Sequence, residues 1–312
     1  MNDSLIVSVS PHYHKQGATT QRVMLDVLIA LVPALVAACV IFGVRALLLV
    51  AVSAANCALL EWVWNKLMKQ ADTVADLSAL VTGVLIAFNV PVGMPIWQLL
   101  IGDFIAIIIV KMLYGGLGRN FVNPALAGRV VMMLSFTSSM TAYATNVAKI
   151  DVLSSATPLP VIGELHFSDF MTLLLGQHGG MIGETCAIAL IAGGVYLCVR
   201  GVIKPVIPVC FAASTLVFTF LFNGFNVESA ILSLFSGGLM LGSIFMATDY
   251  VTSPMTDKGK VIFAVGCGFL TTCIRLFASA AEGVSFAILL MNLVVPYIND
   301  ATRTKPLGGV EA

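Results

Sequence analysis

Long apolar runs separated by short polar segments recur along almost the whole chain. A membrane-spanning helix needs about 20 mostly apolar residues, and ten runs approach that length, five on each side of a polar interval. The runs before the interval are residues 23–42, 46–64, 77–92, 97–113 and 125–138. The runs after it are residues 181–199, 205–222, 230–247, 261–278 and 284–298. This pattern predicts an all-α integral membrane protein with about ten transmembrane helices.

Composition argues against a soluble domain of this size. Hydrophobic residues make up 59% of the 312 residues and charged residues only 10%, whereas soluble domains carry about 25% charged residues. A soluble chain of this length could not bury so much apolar surface, so membrane lipid must contact much of it. The 16 basic residues balance the 16 acidic ones, and this absence of a basic excess predicts no nucleic-acid partner.

The distribution of basic residues predicts the orientation of the helices, because Lys and Arg are enriched in cytoplasmic loops. With a cytoplasmic N-terminus and one crossing per run, twelve basic residues lie on the cytoplasmic side and only Arg45 and Lys149 lie outside. Arg129 and Arg275 fall inside runs and should be buried among helices or lie near an interface. We therefore predict a multi-pass protein of the cell inner (cytoplasmic) membrane, with both termini cytoplasmic and the central loop extracytoplasmic.

The predicted topology also relates the two halves of the chain. It gives a cytoplasmic N-terminal segment (1–22), a first five-helix repeat (23–138), an extracytoplasmic loop (139–180), a second five-helix repeat (181–298) and a cytoplasmic tail (299–312). Because the first repeat crosses the membrane an odd number of times, the second repeat starts from the opposite side and is inverted. Inverted repeats often hold sites beside broken helices. Each half has a polar stretch with a proline, at 120–129 and 248–256. Ordinary loops with proline at a helix start remain an alternative.

The predicted outer loop contains Thr157, which small residues precede and Pro158 follows. Proline biases the residue before it toward an extended backbone. The hydroxyl of Thr157 would then project from a strand-like segment that an approaching enzyme can reach. From these residues alone, the segment fits either a site of covalent modification or a Ser/Pro-rich turn.

The loop also carries a family motif. Asp151, Ser154, Ala156 and Thr157 fit the pattern D-x-x-[ST]-G-A-T, and Ser155 stands where that pattern usually has glycine. Further matching segments are residues 10–12, 123–129, 247–255 and 282–292. Together they make the chain similar to the RnfD/NqrB family. That family contains the RnfD component of the Rnf ion-translocating ferredoxin:NAD oxidoreductase and, more distantly, the NqrB component of the sodium-pumping NADH:quinone reductase.

The resemblance implies a fold, cofactors and partners. The family is similar to urea transporters, with two inverted five-helix repeats. A flavin transferase attaches FMN through a phosphoester to the threonine that matches Thr157, and a second, non-covalent riboflavin is bound in the related quinone reductase component. The implied function is an electron relay between ferredoxin and NAD, coupled to Na⁺ or H⁺ transport, within a complex that contains the other Rnf subunits (A, B, C, E and G). The chain would not be catalytic alone.

Acidic residues in or near the apolar runs are candidates for ion handling, because an ionisable group inside a membrane is costly and usually functional. Asp103 interrupts the run 97–113, and Asp249 lies in the polar stretch of the second half. Either carboxylate could instead be structural, and Asp103 could cap a helix or pair with Arg129 or Arg275. Further acids near the predicted run ends are Glu61, Glu184 and Glu282.

Other cofactor sites are not indicated by the sequence. The seven cysteines all lie in apolar stretches without a CxxC motif, and the four histidines are scattered, so no metal site is expected. The glycines at 115–118 lie between membrane runs, which argues against a nucleotide fold. The alternative function is a urea-transporter-like channel or small-solute transporter without a redox cofactor. Only the motif at 151–157 distinguishes this channel from the flavin-bearing redox subunit. A third alternative, a purely structural scaffold, would leave that motif unexplained.

Overall fold

The computed structural model describes residues 19–142, 170–176, 179–184, 186–278 and 283–303, which are mostly helical. The first helices are α1 (Thr20–Phe42), α2 (Val44–Leu67), α3 (Ser78–Phe88), α4 (Ile96–Phe104), α5 (Pro124–Ser135) and α6 (Thr137–Met140). The others are α7 (Phe170–Leu175), α8 (Ala187–Arg200), α9 (Val206–Phe222), α10 (Val227–Phe235), α11 (Leu239–Leu241), α12 (Asp257–Phe277) and α13 (Val284–Ala301). Each of the ten predicted runs contains a helix, which confirms the all-α membrane class.

Only some of these helices are long enough to cross a membrane alone. Among the described residues, α1, α2, α12 and α13 have the required length and apolar character. A fifth span results if α10 is joined with Leu239–Met246, although the two segments are bent by 65°. Helices α3, α5, α8 and α9 are apolar but shorter, with 10–17 residues. The chain is therefore a multi-pass membrane protein, while ten complete crossings stay a prediction.

Helix breaks divide the apolar runs more finely than hydropathy indicated. The run 230–247 is two helices, because the backbone of Gly237 adopts a positive φ of 64° between them, a conformation that a helix does not contain. The run 77–92 is helical only as far as Phe88, shortly before Pro91, which has no N–H to continue a helix. The predicted polar loop 139–180 includes the short helix α7.

Two helices continue as π-helices, which are rare in proteins and often found at functional sites. Helix α4 runs on through Ile105–Met112, and α11 runs on through Gly242–Met246. Each of these segments leads into one of the polar stretches noted in the sequence. The irregular turns therefore lie next to the candidate site.

The two polar, proline-containing stretches each lead into a capped helix. The side-chain oxygen of Asn123 accepts hydrogen bonds from the backbone N–H groups of Ala125 and Leu126, and Pro124 takes the first helical position of α5. Thr256 caps α12 in the same way. Both features are common at helix starts. Helix capping therefore accounts for Pro124, as expected for an ordinary loop with proline at a helix start. It does not account for the polar residues that precede each cap.

A short backbone pairing joins the end of α3 to the turn before α8. The N–H of Ile182 donates to the carbonyl of Val90 at 3.1 Å, and the N–H of Gly183 donates to the carbonyl of Phe88 at 2.8 Å. Non-helical backbone at membrane depth must find its hydrogen-bond partners within the protein. This pairing supplies partners for the broken segment and fixes the two halves of the chain against each other.

Helices α1 and α8 form a second contact between the halves. Gly193 packs so closely on α1 that a side chain there would collide with the carbonyl of Ala30, the close approach that small residues allow between membrane helices. Toward the C-terminal end of α8, the hydroxyl of Tyr196 donates to Asp26 of α1 at 2.9 Å, and Arg200 is ion-paired with Asp26 at 3.2 Å. The two halves are therefore packed as one unit around the sites described below.

Candidate functional site

A cavity of about 90 Å³ lies between the two halves, near the beginning of α1 and the end of α8. We call it the inner cavity, because the predicted orientation places it on the cytoplasmic side. Its polar lining includes Asn120 and Asn123 from the first proline-containing stretch, and Thr248 and Asp249 from the second. The structure thus brings together two stretches that are far apart in the sequence.

Asp249 is a partly buried residue that lines the inner cavity. Its carboxylate accepts hydrogen bonds from the hydroxyl of Thr252 at 3.0 Å and from the N–H of Val251 at 3.4 Å. Both donors belong to the same turn as Asp249, so the turn itself orients the carboxylate. In the described part of the chain no cation is ion-paired with it at 4 Å or less. A carboxylate in this setting can attract a cation or a proton from the inner cavity.

Asp103 belongs to α4 and is fully buried against α2, as its position within an apolar run predicted. Its carboxylate accepts hydrogen bonds from the hydroxyl of Ser53 at 2.6 Å and from the amide of Asn56 at 3.0 Å. Both donors come from α2, and both are neutral. Arg129 is ion-paired elsewhere, with Glu184. The carboxylate of Asp103 is therefore held by neutral polar groups, a setting in which it can exchange a proton or a bound cation.

A buried ion pair, which was not predicted from the sequence, lies beside the inner cavity. The Lys111 ammonium donates to Glu61 at 2.9 Å and to the Ser78 hydroxyl at 2.6 Å, and both charged side chains are almost fully buried. The Thr73 hydroxyl donates to the other oxygen of Glu61 at 2.6 Å, and Asn65 donates to Thr73. Lys111 and Ser78 also line the cavity. The network is not complete, because Oδ1 of Asn65 is buried without a hydrogen-bond partner among the described residues.

The sequence does contain a signal for this network. Ser53, Cys57, Glu61 and Asn65 recur at every fourth position of α2 and are all buried. Residues four apart lie on one face of a helix, so these four form a polar stripe directed into the protein. The sequence gives a weaker signal for Lys111, which is not on α2. Its place at the end of an apolar run also suits a basic residue at the cytoplasmic surface.

A second polar group, which we call the arginine cluster, consists of the buried residues Asn89, Arg129 and Glu184 and the partly buried Arg275. Arg129 is 2% exposed, is ion-paired with Glu184 at 3.0 Å and donates to the side-chain oxygen of Asn89 at 2.6 Å. Arg275 lies close enough to Glu184 for an electrostatic interaction. The sequence predicted that both arginines lie buried among helices or near an interface, and the structure buries Arg129 and partly buries Arg275. Their position beside one acidic residue was not predicted.

The motif that carries the flavin prediction lies outside the described residues. Asp151, Ser154, Ser155, Ala156 and Thr157 fall in the gap between residues 142 and 170. Glu282 also lies outside. The attachment of FMN to Thr157 therefore stays a prediction from the sequence.

Comparison with known proteins decides the family. Residues 6–308 match the NQR2, RnfD, RnfE family. The chain belongs to this family. Its membership confirms the resemblance inferred from the loop motif and the other matching segments, which together span nearly the whole chain.

Relatives within the NQR2, RnfD, RnfE family cover the full chain. The chain is 43% identical to the D subunit of the Na⁺-translocating ferredoxin:NAD⁺ oxidoreductase complex of Acetobacterium woodii, with 99% of this chain and 97% of the relative aligned. It is 36% identical to the D subunit of the proton-translocating ferredoxin:NAD⁺ oxidoreductase complex of Clostridium ljungdahlii, over 97% and 96%. It is 34% identical to the D subunit of the ion-translocating oxidoreductase complex of Actinobacillus succinogenes, over 96% of each chain.

Proposed function

We propose that this chain is the membrane flavoprotein subunit of an ion-translocating ferredoxin:NAD⁺ oxidoreductase complex. It would carry covalent FMN on Thr157 and relay electrons between ferredoxin and NAD⁺, with coupled transport of Na⁺ or H⁺. The observation that carries this proposal is full-length similarity, at up to 43% identity, to proteins named as the D subunit of such complexes. The expected partners are the other Rnf subunits (A, B, C, E and G), together with a flavin transferase that matures this chain.

The residues around Thr157 are suited to flavin attachment. A phosphoester requires a hydroxyl, which Thr157 supplies, and its small neighbours Ser154, Ser155 and Ala156 leave room for the transferase. The FMN, once bound, would accept and pass on electrons. The chain itself would set the position of the cofactor at the outer face, since the predicted topology places residues 139–180 outside the membrane.

The non-covalent riboflavin that the family resemblance implies does not fit the inner cavity as it stands. The cavity measures about 90 Å³, whereas pockets that enclose drug-sized ligands measure roughly 300–1,000 Å³. Its amide groups, on Asn120 and Asn123, could form hydrogen bonds with a flavin ring, but the ring system requires more volume. We therefore assign no residue of this chain to riboflavin.

The arrangement of helices supports the proposal of two inverted repeats. Helix α3 is a short helix that ends at a break, and the next helix, α4, continues as a π-helix toward the polar stretch 120–129. Helix α10 repeats this order: it ends at a break, and α11 continues as a π-helix toward 248–256. In the predicted topology α3 and α10 enter the membrane from opposite sides, as inverted repeats require.

The mass of the peptide that contains Thr157 tests the flavin proposal directly. In protein made together with the flavin transferase, mass spectrometry of this peptide should show one added FMN, and the denatured protein should show flavin fluorescence in a gel. Protein made without the transferase is the control and should give the bare peptide mass. A bare mass in both preparations would contradict the proposal and favour the urea-transporter-like channel, which has no use for a flavin.

We further propose that Asp103 and Asp249 handle the transported ion. Asp103→Asn keeps the size of the side chain but removes the negative charge and retains only one of the two acceptor oxygens, to which Ser53 and Asn56 donate separately. We expect reconstituted complexes with Asp103→Asn to keep their FMN and most of their electron transfer, while ion transport per electron falls about tenfold or more. Ion uptake and ferredoxin-dependent NAD⁺ reduction, measured in the same proteoliposomes, would give this ratio.

The matched control for Asp103→Asn is Asp257→Asn. Asp257 is an exposed carboxylate paired with Lys204 at 2.8 Å, and exposed pairs contribute about 0–1 kcal/mol to stability. Its replacement should leave both electron transfer and ion transport unchanged. Equal ion-to-electron ratios in Asp103→Asn and Asp257→Asn would assign Asp103 a structural role.

A further inference from the structure

The Asp103 carboxyl lies where three helices of the first half pack together. Asp103 belongs to the last turn of α4, just before the π-helix that begins at Ile105. Gly83 lets α3 approach α2 so closely that a side chain at this position would collide with the backbone of Ser53 and Ala54. The backbone of α3 therefore comes within reach of the polar groups that hold Asp103.

The hydroxyl of Ser53 lies between two acceptors. Its oxygen is 2.6 Å from Oδ1 of Asp103 and 2.8 Å from the carbonyl oxygen of Gly83, and both Ser53 and Asp103 are fully buried. A hydroxyl has one hydrogen to donate, but it can also accept through its lone pairs. Ser53 can therefore donate fully to only one of the two oxygens at a time.

A proton on Asp103 would satisfy both short contacts. When Oδ1 carries the proton, the acid donates to Ser53, and the hydrogen of Ser53 is available to the carbonyl of Gly83. When Oδ1 is ionised, the hydroxyl of Ser53 donates to it instead. The amide of Asn56 donates to Oδ2 at 3.0 Å and suits either state. The surroundings thus accommodate both the neutral and the charged form of this side chain.

A metal cation fits this environment less well than a proton. Hard cations are held by several oxygen ligands at once, whereas a proton needs one acceptor. The amide N–H of Asn56 faces Oδ2 of Asp103, so a cation on that side would meet a hydrogen-bond donor in place of an oxygen ligand. The chemistry of the donor set therefore favours a proton.

The titratable groups around Asp103 supply no counter-charge. Helix α2 presents the thiol of Cys57, which is in hydrogen-bonding contact with the carboxyl. Lys111 of the π-helix interacts with Cys57, but its ion pair is with Glu61. Arg129 of α5 belongs to the arginine cluster, and α3 has no titratable side chain. Among the described residues no cation is ion-paired with Asp103, and an unpaired carboxyl is less costly to bury when it is neutral.

We propose that Asp103 binds a proton rather than Na⁺, and that Ser53 is the positioning residue that stabilises both states of its carboxyl. On binding, an O–H bond forms at Oδ1, and the hydrogen of Ser53 turns from Oδ1 to the carbonyl of Gly83. Release reverses these changes, and no electron is transferred in either direction. The inference deepens the proposed function, on which it rests only in assigning this proton to ion transport.

Infrared difference spectroscopy of the purified complex detects a protonated carboxyl directly. A film of the complex is perfused with buffers of different pH, and then with K⁺ or Na⁺ at constant pH. We expect the C=O stretching band of a protonated acid, which is lost as the pH rises and is absent from Asp103→Asn. Exchange of K⁺ for Na⁺ at constant pH should leave this band unchanged.

Two further variants identify the hydrogen bond and control for surface effects. Ser53→Ala removes the acceptor for the proton of Asp103, so the band should shift in frequency. This shift keeps the proposal testable if Asp103→Asn fails to assemble, which native gel electrophoresis of each complex would show. Asp257→Asn changes an exposed carboxylate and should keep the band that Asp103→Asn loses, at its wild-type frequency.

Three results would overturn the proposal. They are the absence of any such band, a band that Asp103→Asn retains, and a band that Ser53→Ala leaves in place. Loss of the band on addition of Na⁺ at constant pH would show that Na⁺ competes for the carboxylate, and would also overturn it. The measurement requires neither flavin nor electron flow. If the band behaves as expected while Asp103→Asn transports ions normally, proton binding stands and only the transport role of Asp103 fails.

Discussion

Replacing Thr157 by alanine is expected to abolish covalent FMN on this chain and to stop electron flow from ferredoxin to NAD⁺. Alanine has no hydroxyl with which to form a phosphoester. Substitutions at exposed positions usually change stability by no more than about 0.5 kcal/mol, so the protein should still insert and assemble if the loop lies outside the membrane as predicted. Flavin fluorescence of the denatured protein and ferredoxin-dependent NAD⁺ reduction by the complex would measure the two effects.

Two other substitutions define what flavin attachment requires. Thr157→Ser keeps the hydroxyl and removes only a methyl group, so any flavin it retains would show that the nucleophile rather than the β-branch is essential. Ser155→Gly restores the residue that the family motif usually has and should be modified at least as completely as wild type. Flavin that persists on Thr157→Ala would locate the attachment site elsewhere in the chain.

Breaking the buried ion pair between Glu61 and Lys111 is expected to have the largest effect on stability. Removing one partner of a buried pair leaves an uncompensated charge, which typically costs about 3–5 kcal/mol. Among the described residues, Lys111→Met would leave the Glu61 carboxylate with only the Thr73 hydroxyl as a hydrogen-bond donor. The free energy of unfolding of the purified protein in mixed detergent micelles, titrated with a denaturing detergent, would give the loss.

A double replacement provides the matched control. Glu61→Met combined with Lys111→Met removes both charges and replaces them with apolar side chains, an exchange that is often neutral or stabilising for buried pairs. The double variant should therefore be more stable than Lys111→Met alone. Lys204→Gln, which breaks an exposed pair, should cost less than about 1 kcal/mol. The losses of Lys111→Met alone and Glu61→Met alone are compared with the loss of the double variant. If the two single losses simply added, the pair would not be energetically coupled.

Hydropathy predicted the positions of the helices well because lipid imposes a simple requirement. Every backbone group in a bilayer core must be paired, so spanning segments are continuous apolar helices. Hydropathy alone could not reveal that α3 stops at Phe88, because Val90 and Val92 beyond it are as apolar as the helix itself, although Pro91 between them disfavours a continuous helix. Partners for that segment come from residues 182–183, which are distant in the sequence and carry no local signal for the pairing.

The candidate sites were predictable as individual residues but not as groups. Asp103 and Asp249 stand out because a carboxylate in or beside an apolar run is unusual, and the structure places Asp103 in the interior and Asp249 at the cavity. The partnership of Lys111 with Glu61 could not be inferred, because 50 residues separate them. Without the packing of the helices, Lys111 is indistinguishable from a lysine at the membrane surface.

The pairing between the end of α3 and the turn before α8 constrains the order in which the protein can be made. Chains are synthesised from the N-terminus, and early segments usually fold first. Here the carbonyls of Phe88 and Val90 accept from Ile182 and Gly183, so the first half cannot complete this pairing until the start of the second half has been synthesised. During that interval these two carbonyls need other hydrogen-bond partners, such as water, lipid headgroups or the insertion machinery. Insertion of the first half is therefore completed only together with the beginning of the second half.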